Sequence, residues 1–209
     1  LMIRRPPRST RVRSRQRQMC IRDSGDIVFV SLNHRLGPIG FSDFSEVDEK
    51  KFAESGNVGI LDLVAGLKWV HNNIAQFGGD PSNVTIMGQS GGGAKVCTLV
   101  AMAETKGLLH KAVALSGNIT GAIDNNYSTE LGKYILKEAG LPPSQINKLQ
   151  EIPWLDYIVL ANRAAAKYDK QLGGNGMMRG SFGPVGDGFH IPMDTFYTCL
   201  LYTSPSPRD

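Results

Sequence analysis

Cysteine is scarce in this 209-residue sequence, which contains 3 cysteines. Cys20 and Cys199 fall in terminal stretches that differ from the rest of the chain, so Cys97 alone belongs to its body. A single cysteine excludes a disulfide framework, and its expected role is that of a small buried hydrophobic side chain. Runs of 18 apolar residues are also missing, which predicts that nothing in the chain spans a membrane.

Acidic residues are nearly absent from the first 24 positions, which carry eight arginines against Asp23. Without this stretch the formal net charge falls from +4 to −3, so the basic character of the chain comes from its first 24 residues. We interpret residues 1–24 as a non-native disordered arm and residues 199–209 as a non-native tail, since both resemble translated sequencing-adapter sequence. An arginine-rich arm can also indicate nucleic-acid or membrane binding, but the bias stops abruptly at Ser24. We therefore expect one folded domain at 25–198 and no nucleic-acid partner.

Strands and helices alternate along this domain, which predicts an α/β fold with a mostly parallel central sheet and flanking helices. Apolar residues recur every three or four positions from Asn57 to Phe77, which predicts an amphipathic helix that Asn57 can cap. Apolar runs predict buried strands at 26–32 and 84–87 and a further strand at 111–115. The remaining predictions are helices at 94–103, 130–139 and 154–167, the last two in a cap or insertion region, a solvated loop at 42–55, and a glycine-rich loop at 173–192.

The most informative motif is Gly88-Gln89-Ser90-Gly91-Gly92, which connects a predicted strand to helix-compatible sequence. A G-x-S-x-G pattern at such a junction is typical of a nucleophile elbow, a strained turn that exposes a serine above a sheet. We expect Gly88 and Gly92 to avoid collisions with neighbouring elements. The following helix would direct N–H groups and its positive dipole end at an oxyanion. Ser90 is therefore the candidate nucleophile, and the Gly91 N–H is the candidate first oxyanion donor.

The same glycine-rich turn allows two other interpretations. One is a structural strand-to-helix connection with a surface serine. The other is a phosphate-binding G-x-x-x-x-G-K-[ST] loop, because a lysine follows residues 88–93 closely. However, Ala94 occupies the lysine position, Lys95 comes about 100° further round the helix, and Val96 has no hydroxyl for magnesium. The spacing favours the nucleophile elbow.

Residues 26–117 resemble the type B carboxylesterases, the bacterial relatives of the cholinesterases. The resemblance rests on segments that share the family's order and spacing: VSLNHRLG at 30–37, GNVG at 56–59 with Asp62, Trp69-Val70, Asn73-Ile74, FGGDP at 77–81, Val84-Thr85, and more faintly GPVGDG at 183–188. It implies an α/β-hydrolase fold, present here only in part, and hydrolysis of small carboxylic esters through an acyl-enzyme on Ser90. Such chemistry needs no metal and no organic cofactor.

The resemblance also implies roles for individual residues. Arg35 and Asp62 are expected to form an ion pair, and Ser116 is similar to a buried serine near the triad histidine. Gln89 stands where many members have glutamate, which makes selectivity for cationic choline esters less expected. The alternative function is a catalytically silent adhesion module resembling the neuroligins, but an intact elbow around Ser90 favours the enzyme.

A complete catalytic triad is not evident in the sequence. Hydrolases of this fold place serine, acid and histidine in that order, and only His190 follows Ser90 far enough, in a loop that precedes the acid in similar proteins. We expect each histidine to be a surface or helix-face residue: His34, His71, His110 and His190. The downstream aspartates lack the family's context for the acid: Asp124, Asp156, Asp169, Asp187 and Asp194. We therefore expect a fragment, truncated at both ends, that carries the nucleophile without its base and is essentially inactive by itself.

Overall fold

Helices form most of the regular structure in the computed structural model, which describes residues 27–173 and 182–196. The α-helices are α1 (Gly37–Phe41), α2 (Glu49–Phe52), α3 (Val58–Asn73), α4 (Gly91–Ala101), α5 (Asn125–Glu138) and α6 (Trp154–Gln171). The strands are β1 (Thr85–Gln89) and β2 (Lys111–Leu115), and 3-10 helices lie at Ser55–Asn57, Ile74–Phe77, Ala103–Thr105 and Pro143–Glu151. The predicted arm at 1–24, the predicted tail at 199–209 and part of the glycine-rich loop lie outside the described residues.

The two strands form a parallel pair in a register that runs from Thr85 opposite Lys111 to Gln89 opposite Leu115. α4 connects them and packs against both, which confirms the predicted strand, helix, strand unit. The prediction that the first of these strands is buried is wrong for the described chain, because Met87 is 49% exposed. Parallel sheets usually have both faces covered, so the described residues leave part of this sheet open.

The strand predicted at 26–32 is wrong for the part that the structure describes. Asp26 lies outside that part, and residues 27–36 form no helix or strand. A strand requires a hydrogen-bonded neighbour, and β1 and β2 pair with each other rather than with this segment. Ile27 is consequently 45% exposed, and Leu32 lies against Gly66 of α3.

The long amphipathic helix is confirmed as α3, which continues into the 3-10 turn Ile74–Phe77. Its buried face consists of residues at the predicted spacing: Ile60, Val64, Leu67 and Val70. The 3-10 turn ends at Gly78, whose φ of 81° is left-handed and whose N–H donates to the carbonyls of Ile74 and Ala75. Glycine adopts that conformation without a steric penalty, which explains the observed stop.

The predicted cap of α3 is wrong, because the Asn57 side chain makes no cap hydrogen bond. Its Oδ1 accepts from the Val185 N–H at 2.9 Å, and its Nδ2 donates to the Val185 carbonyl at 3.0 Å and to the Asp187 carboxylate at 2.9 Å. These long-range bonds compete successfully with the local cap because they satisfy backbone groups of a buried residue. Asn57 therefore fixes the 182–196 segment to the start of α3.

The start of the predicted solvated loop at 42–55 differs from the prediction. Asp43 and Phe44 are buried, and the Asp43 carbonyl lies so close to Gly132 of α5 that a β carbon there would overlap it. The Tyr157 hydroxyl donates to the Ser42 hydroxyl at 2.8 Å, and burial raises the pKa of Tyr157 to about 12. Residues 42–44 are thus held against α5 and α6, whereas residues 46, 48–51, 53 and 54 are exposed, as the prediction of a solvated loop expects.

Two apolar cores hold the described residues together. The two helices predicted in the insertion region are confirmed as α5 and α6, which pack against each other around one core: Phe44, Leu131, Ile135, Leu136, Ala161, Ala164, Ala165 and Tyr168. The other core lies between α3, α4 and the 182–196 segment: Phe41, Ile60, Val64, Leu67, Cys97, Leu99, Met102, Ile191 and Phe196. The burial of Cys97 confirms its predicted role. Among the described helices, none is long and apolar enough to cross a bilayer.

Candidate active site

Ser90 forms a sharp turn between β1 and α4. Its φ is 54° and its ψ is −123°, a conformation that is rare outside glycine and costs on the order of 1–3 kcal/mol. β1 ends at Gln89 and α4 begins at Gly91, so a single residue makes the turn. Ser90 is exposed. A strained, exposed serine between a strand and a helix is the geometry of a nucleophile elbow.

Backbone hydrogen bonds hold this turn in place. The Ser90 N–H donates to the carbonyl of Leu115, the last residue of β2, at 2.8 Å, and the Ser90 carbonyl accepts from the Ala94 N–H at 3.0 Å. The next residue of the second strand, Ser116, also has a positive φ, of 51°. Two strained serines therefore lie at the carboxyl ends of neighbouring parallel strands, the edge where open α/β sheets bind ligands. Ser116 is exposed in the described chain, which corrects the expectation that it is buried.

Close backbone approaches at two glycines explain why the turn needs them. A β carbon on Gly88 would overlap the Gly92 carbonyl and lie 2.9 Å from the Gly93 nitrogen. One on Gly117 would overlap the Ser90 carbonyl oxygen and lie 2.6 Å from its carbonyl carbon. The expectation that a side chain at Gly92 would collide with neighbouring elements is wrong, since a β carbon there meets no described atom within 4 Å. Sequence reasoning missed Gly117, which lies outside the motif and touches Ser90 only after the strands pair.

Gly91 begins α4, and the first N–H groups of a helix have no acceptor within the helix. They also lie at the positive end of the helix dipole, which favours an anion nearby. The first turn of α4 contains no acidic residue, and the preceding Gln89 is neutral. Nothing acidic in this turn opposes an oxyanion beside Ser90.

Three of the four candidate histidines make no described side-chain hydrogen bond with Ser90. His71 is exposed on α3, as predicted. The ring Nδ1 of His110 accepts from the Val84 N–H at 3.2 Å, so this side chain holds the start of the sheet. His34 is half-buried, and its Nε2 has no hydrogen-bond partner among the described residues. Burial, followed by the positive charge of Lys95, lowers the pKa of His34.

His190 contradicts the expectation of a surface histidine. Its ring is buried, with Nδ1 at 2.5 Å from a Glu104 oxygen and Nε2 at 3.3 Å from a Glu54 oxygen. Both ring nitrogens are therefore directed at glutamates rather than at Ser90. This arrangement links the 182–196 segment to the 3-10 turn that carries Glu104 and to Glu54, which precedes the 3-10 turn Ser55–Asn57.

Two of the candidate aspartates serve the backbone. Asp124 caps α5 by accepting the Tyr127 N–H at 2.9 Å. Asp187 Oδ1 accepts N–H groups of three successive residues, 189, 190 and 191, at distances from 2.8 to 3.0 Å. Asp156 and Asp169 lie on α6, and Asp194 is exposed. The positions of Asp124 and Asp187 are explained by local structure, with no need for a catalytic role.

The ion pair predicted between Arg35 and Asp62 is confirmed. The Arg35 Nη2 lies 2.6 Å from Asp62 Oδ1, while its Nε and backbone N–H both donate to Oδ2 at 2.9 Å. The guanidinium lowers the pKa of Asp62, and the carboxylate raises the pKa of Arg35. This forked arrangement fixes the segment before α1 to α3. In residues 27–173 and 182–196, no group of three or more His, Cys, Asp or Glu side chains is placed to hold a metal ion.

The sequence profile of the carboxylesterase family matches residues 10–196, which is most of the chain. The chain belongs to the carboxylesterase family. It is 39% identical over 139 residues to the para-nitrobenzyl esterase of Bacillus subtilis, covering 66% of this chain and 28% of the relative. The crystal structure of a Geobacillus stearothermophilus carboxylesterase superposes with a TM-score of 0.68 and 34% identity, covering 81% of this chain and 34% of that one. The fold is thus that of the α/β-hydrolase esterases, as the resemblance implied.

A further relative is named as a neuroligin and not as an esterase. Neuroligin-2 of Mus musculus is 41% identical over 103 residues, covering 49% of this chain and 12% of the relative. The chain spans less than a third of the length of each of these curated relatives and about a third of the solved one.

Proposed function

We propose that this chain is part of a longer serine esterase that hydrolyses small carboxylic esters through an acyl-enzyme on Ser90. The observation that carries this proposal is the strained turn at Ser90, between a parallel strand and the N-terminus of α4. A binding module has no use for a conformation that costs stability and exposes a hydroxyl. Family membership supports the reaction class.

The proposed reaction proceeds in two steps. The Ser90 oxygen attacks the ester carbonyl and loses its proton to a histidine base, and the Gly91 N–H stabilises the resulting oxyanion. Collapse of the tetrahedral intermediate releases the alcohol, which takes the proton back from the histidine. Water then attacks the acyl-serine with the help of the same base, which releases the acid and regenerates Ser90. No metal or organic cofactor takes part.

We further propose that the triad acid and base belong to the longer protein and not to these 209 residues. The contacts of His190 with two glutamates, and of Asp124 and Asp187 with backbone N–H groups, support this proposal. The printed chain is then expected to have only residual turnover, since removal of triad members costs several powers of ten in rate.

The test compares the full-length protein with the printed chain on p-nitrophenyl acetate. We expect rapid hydrolysis by the full-length protein, loss of that activity in Ser90→Ala, and little activity from the printed chain. Rapid hydrolysis by the printed chain that disappears in Ser90→Ala would contradict the placement of the base. Full-length activity that survives Ser90→Ala would contradict the nucleophile.

A catalytically silent module similar to the neuroligins is the second candidate, and the 41% identity to neuroligin-2 favours it. The two candidates differ in the reactivity of Ser90. A fluorophosphonate probe should label the full-length protein if it is an esterase, whereas a full-length protein that stays unlabelled would support the silent module.

A further inference from the structure

Lys95 lies one helical turn after the candidate oxyanion donor. Lys95 and Gly91 are four positions apart in α4, so they share one face of the helix. The Lys95 Nζ is 3.3 Å from the Gly91 carbonyl oxygen and 3.9 Å from the point where a β carbon on Gly91 would lie. Long helical side chains lean toward the N-terminus, and this one extends back toward the turn at Ser90.

The positive charge of Lys95 has no described carboxylate to neutralise it. Its Nζ lies 5.7 Å from the ring centroid of Phe41, and burial is the cause that lowers its pKa. His34 adds no second charge at neutral pH, because burial and Lys95 lower its pKa. The acid that acts on His34 is Asp62, which is already paired with Arg35. The described surroundings of Lys95 therefore keep a net positive charge.

The turn itself leaves that charge uncancelled. Gln89 is neutral, and the first turn of α4 has no acidic residue. The helix dipole adds to the positive potential at the same end. A half-buried ammonium is also less screened by water and salt than a surface lysine. A substrate at Ser90 would thus meet a positive potential from Lys95 and the helix end together.

Building on the proposed esterase function, we propose that Lys95 is a specificity-determining residue that favours esters carrying a second, ionised acid group over cationic esters. An anionic group on the acyl chain is attracted to the uncompensated ammonium, and a cationic group of the same length is repelled. The charge also favours the oxyanion of every substrate, so that effect cancels when the rates of two substrates are compared. The ratio of the two kcat/KM values isolates the preference.

The experiment uses the full-length protein and three p-nitrophenyl esters of similar length: the monoester of succinic acid, the ester of butyric acid, and the ester of a trimethylammonium-substituted butyric acid. Lys95→Met removes the charge and keeps the length of the side chain, Lys95→Arg keeps the charge, and Lys68→Met removes a charge from an exposed position of α3. We expect Lys95→Met to lower the ratio of succinate to butyrate kcat/KM about tenfold, the effect of one poorly screened charge. The cationic ester should gain relative to butyrate in the same variant.

The controls separate charge from structure. Lys95→Arg should keep most of the wild-type ratio, and Lys68→Met should leave it unchanged. A ratio that is the same in Lys95→Met and the wild type, or an arginine variant that behaves like methionine, would overturn the inference. Hydrolysis with an unchanged ratio refutes the role of Lys95 alone, whereas a lack of Ser90-dependent hydrolysis of all three esters refutes the proposed function as well.

A measurement on the unmodified protein keeps the inference testable if Lys95→Met fails to fold. Salt screens charge interactions, so raising the ionic strength should lower the preference for the succinate monoester over the cationic ester. The butyrate ester serves as the internal reference for general salt effects. A preference for the cationic ester at low salt, or no preference at any salt concentration, would overturn the inference.

Discussion

Replacement of Gly117 by alanine should disable the site without touching the serine motif. A β carbon at this position would lie 2.6 Å from the Ser90 carbonyl carbon, whereas ordinary contacts begin at 3.4 Å. Backbone atoms cannot rotate away, so the turn must move by about 1 Å, a displacement that can cost about 100-fold in rate. Overpacking of this kind typically costs about 1–3 kcal/mol of stability. The same movement strains the hydrogen bond between the Ser90 N–H and the Leu115 carbonyl, which adds about 1 kcal/mol to the expected loss of stability.

The assay is kcat of the full-length protein on p-nitrophenyl acetate, together with the free energy of unfolding in denaturant. Gly121→Ala is the matched control, because a β carbon on Gly121 meets nothing within 4 Å. We expect Gly117→Ala to lose about 100-fold in kcat and the control to stay near the wild type. A Gly117→Ala protein with wild-type kcat would refute the argument that the end of the second strand positions the nucleophile.

The remaining predictions concern the supporting contacts and are measured on the full-length protein. A double-mutant cycle of Arg35→Ala and Asp62→Ala should give a coupling free energy of about 0.5–1 kcal/mol, since the pair is partly exposed, and strict additivity would contradict the pair. Arg35 lowers the pKa of Asp62 in the folded protein, so this carboxylate contributes stability above its unfolded pKa of about 4. That contribution is lost as the pH falls through the lower folded pKa of Asp62. The acid unfolding curves of Asp62→Asn and the wild type should therefore converge in that range. Tyr157→Phe removes the bond to Ser42 and should lower the unfolding free energy by about 1 kcal/mol, which chemical denaturation tests. Burial lowers the pKa of Lys95, so the preference for the succinate monoester should decline with rising pH at a lower pH than an exposed lysine would give. The preference should persist over the same pH range in Lys95→Arg. A wild-type preference that stays constant across the alkaline range would contradict this prediction.

Local patterns predicted the elements whose partners are close in sequence. α3 followed from its apolar spacing, and its stop followed from Gly78, because both depend on residues within a few turns of one another. β2 was predicted with the bounds that the structure shows. The arginine and aspartate of the ion pair were identified by resemblance, and the structure brings them together.

Predictions that depended on distant partners were the ones that failed. The apolar run at 26–32 has the composition of a buried strand, but composition does not supply the neighbour that a strand must pair with. Asn57 has the right type for a cap, yet the structure uses its amide to hold Val185 and Asp187, which are far away in sequence. The buried position of residues 42–44 depends likewise on α5 and α6, which the loop's polar composition does not reveal.

The candidate site shows the same division between local and distant information. The motif around Ser90 identified the turn, because strand, glycines and helix are contiguous in the sequence. Gly117 could not be found in this way, and Ser116 was named only through the family resemblance, since their positions at the turn arise from the pairing of β1 with β2. A serine followed by glycine at the end of a strand was the available signal, and it is too common to identify a site by itself.

The central claim is that Ser90 is a reactive nucleophile, and mass spectrometry of the fluorophosphonate-treated full-length protein tests it most directly. We expect a single phosphonylated peptide that contains Ser90, with no labelling in Ser90→Ala and strongly reduced labelling in Gly117→Ala. A modified peptide elsewhere in the protein, or equal labelling of the wild type and Ser90→Ala, would show that Ser90 is not the nucleophile.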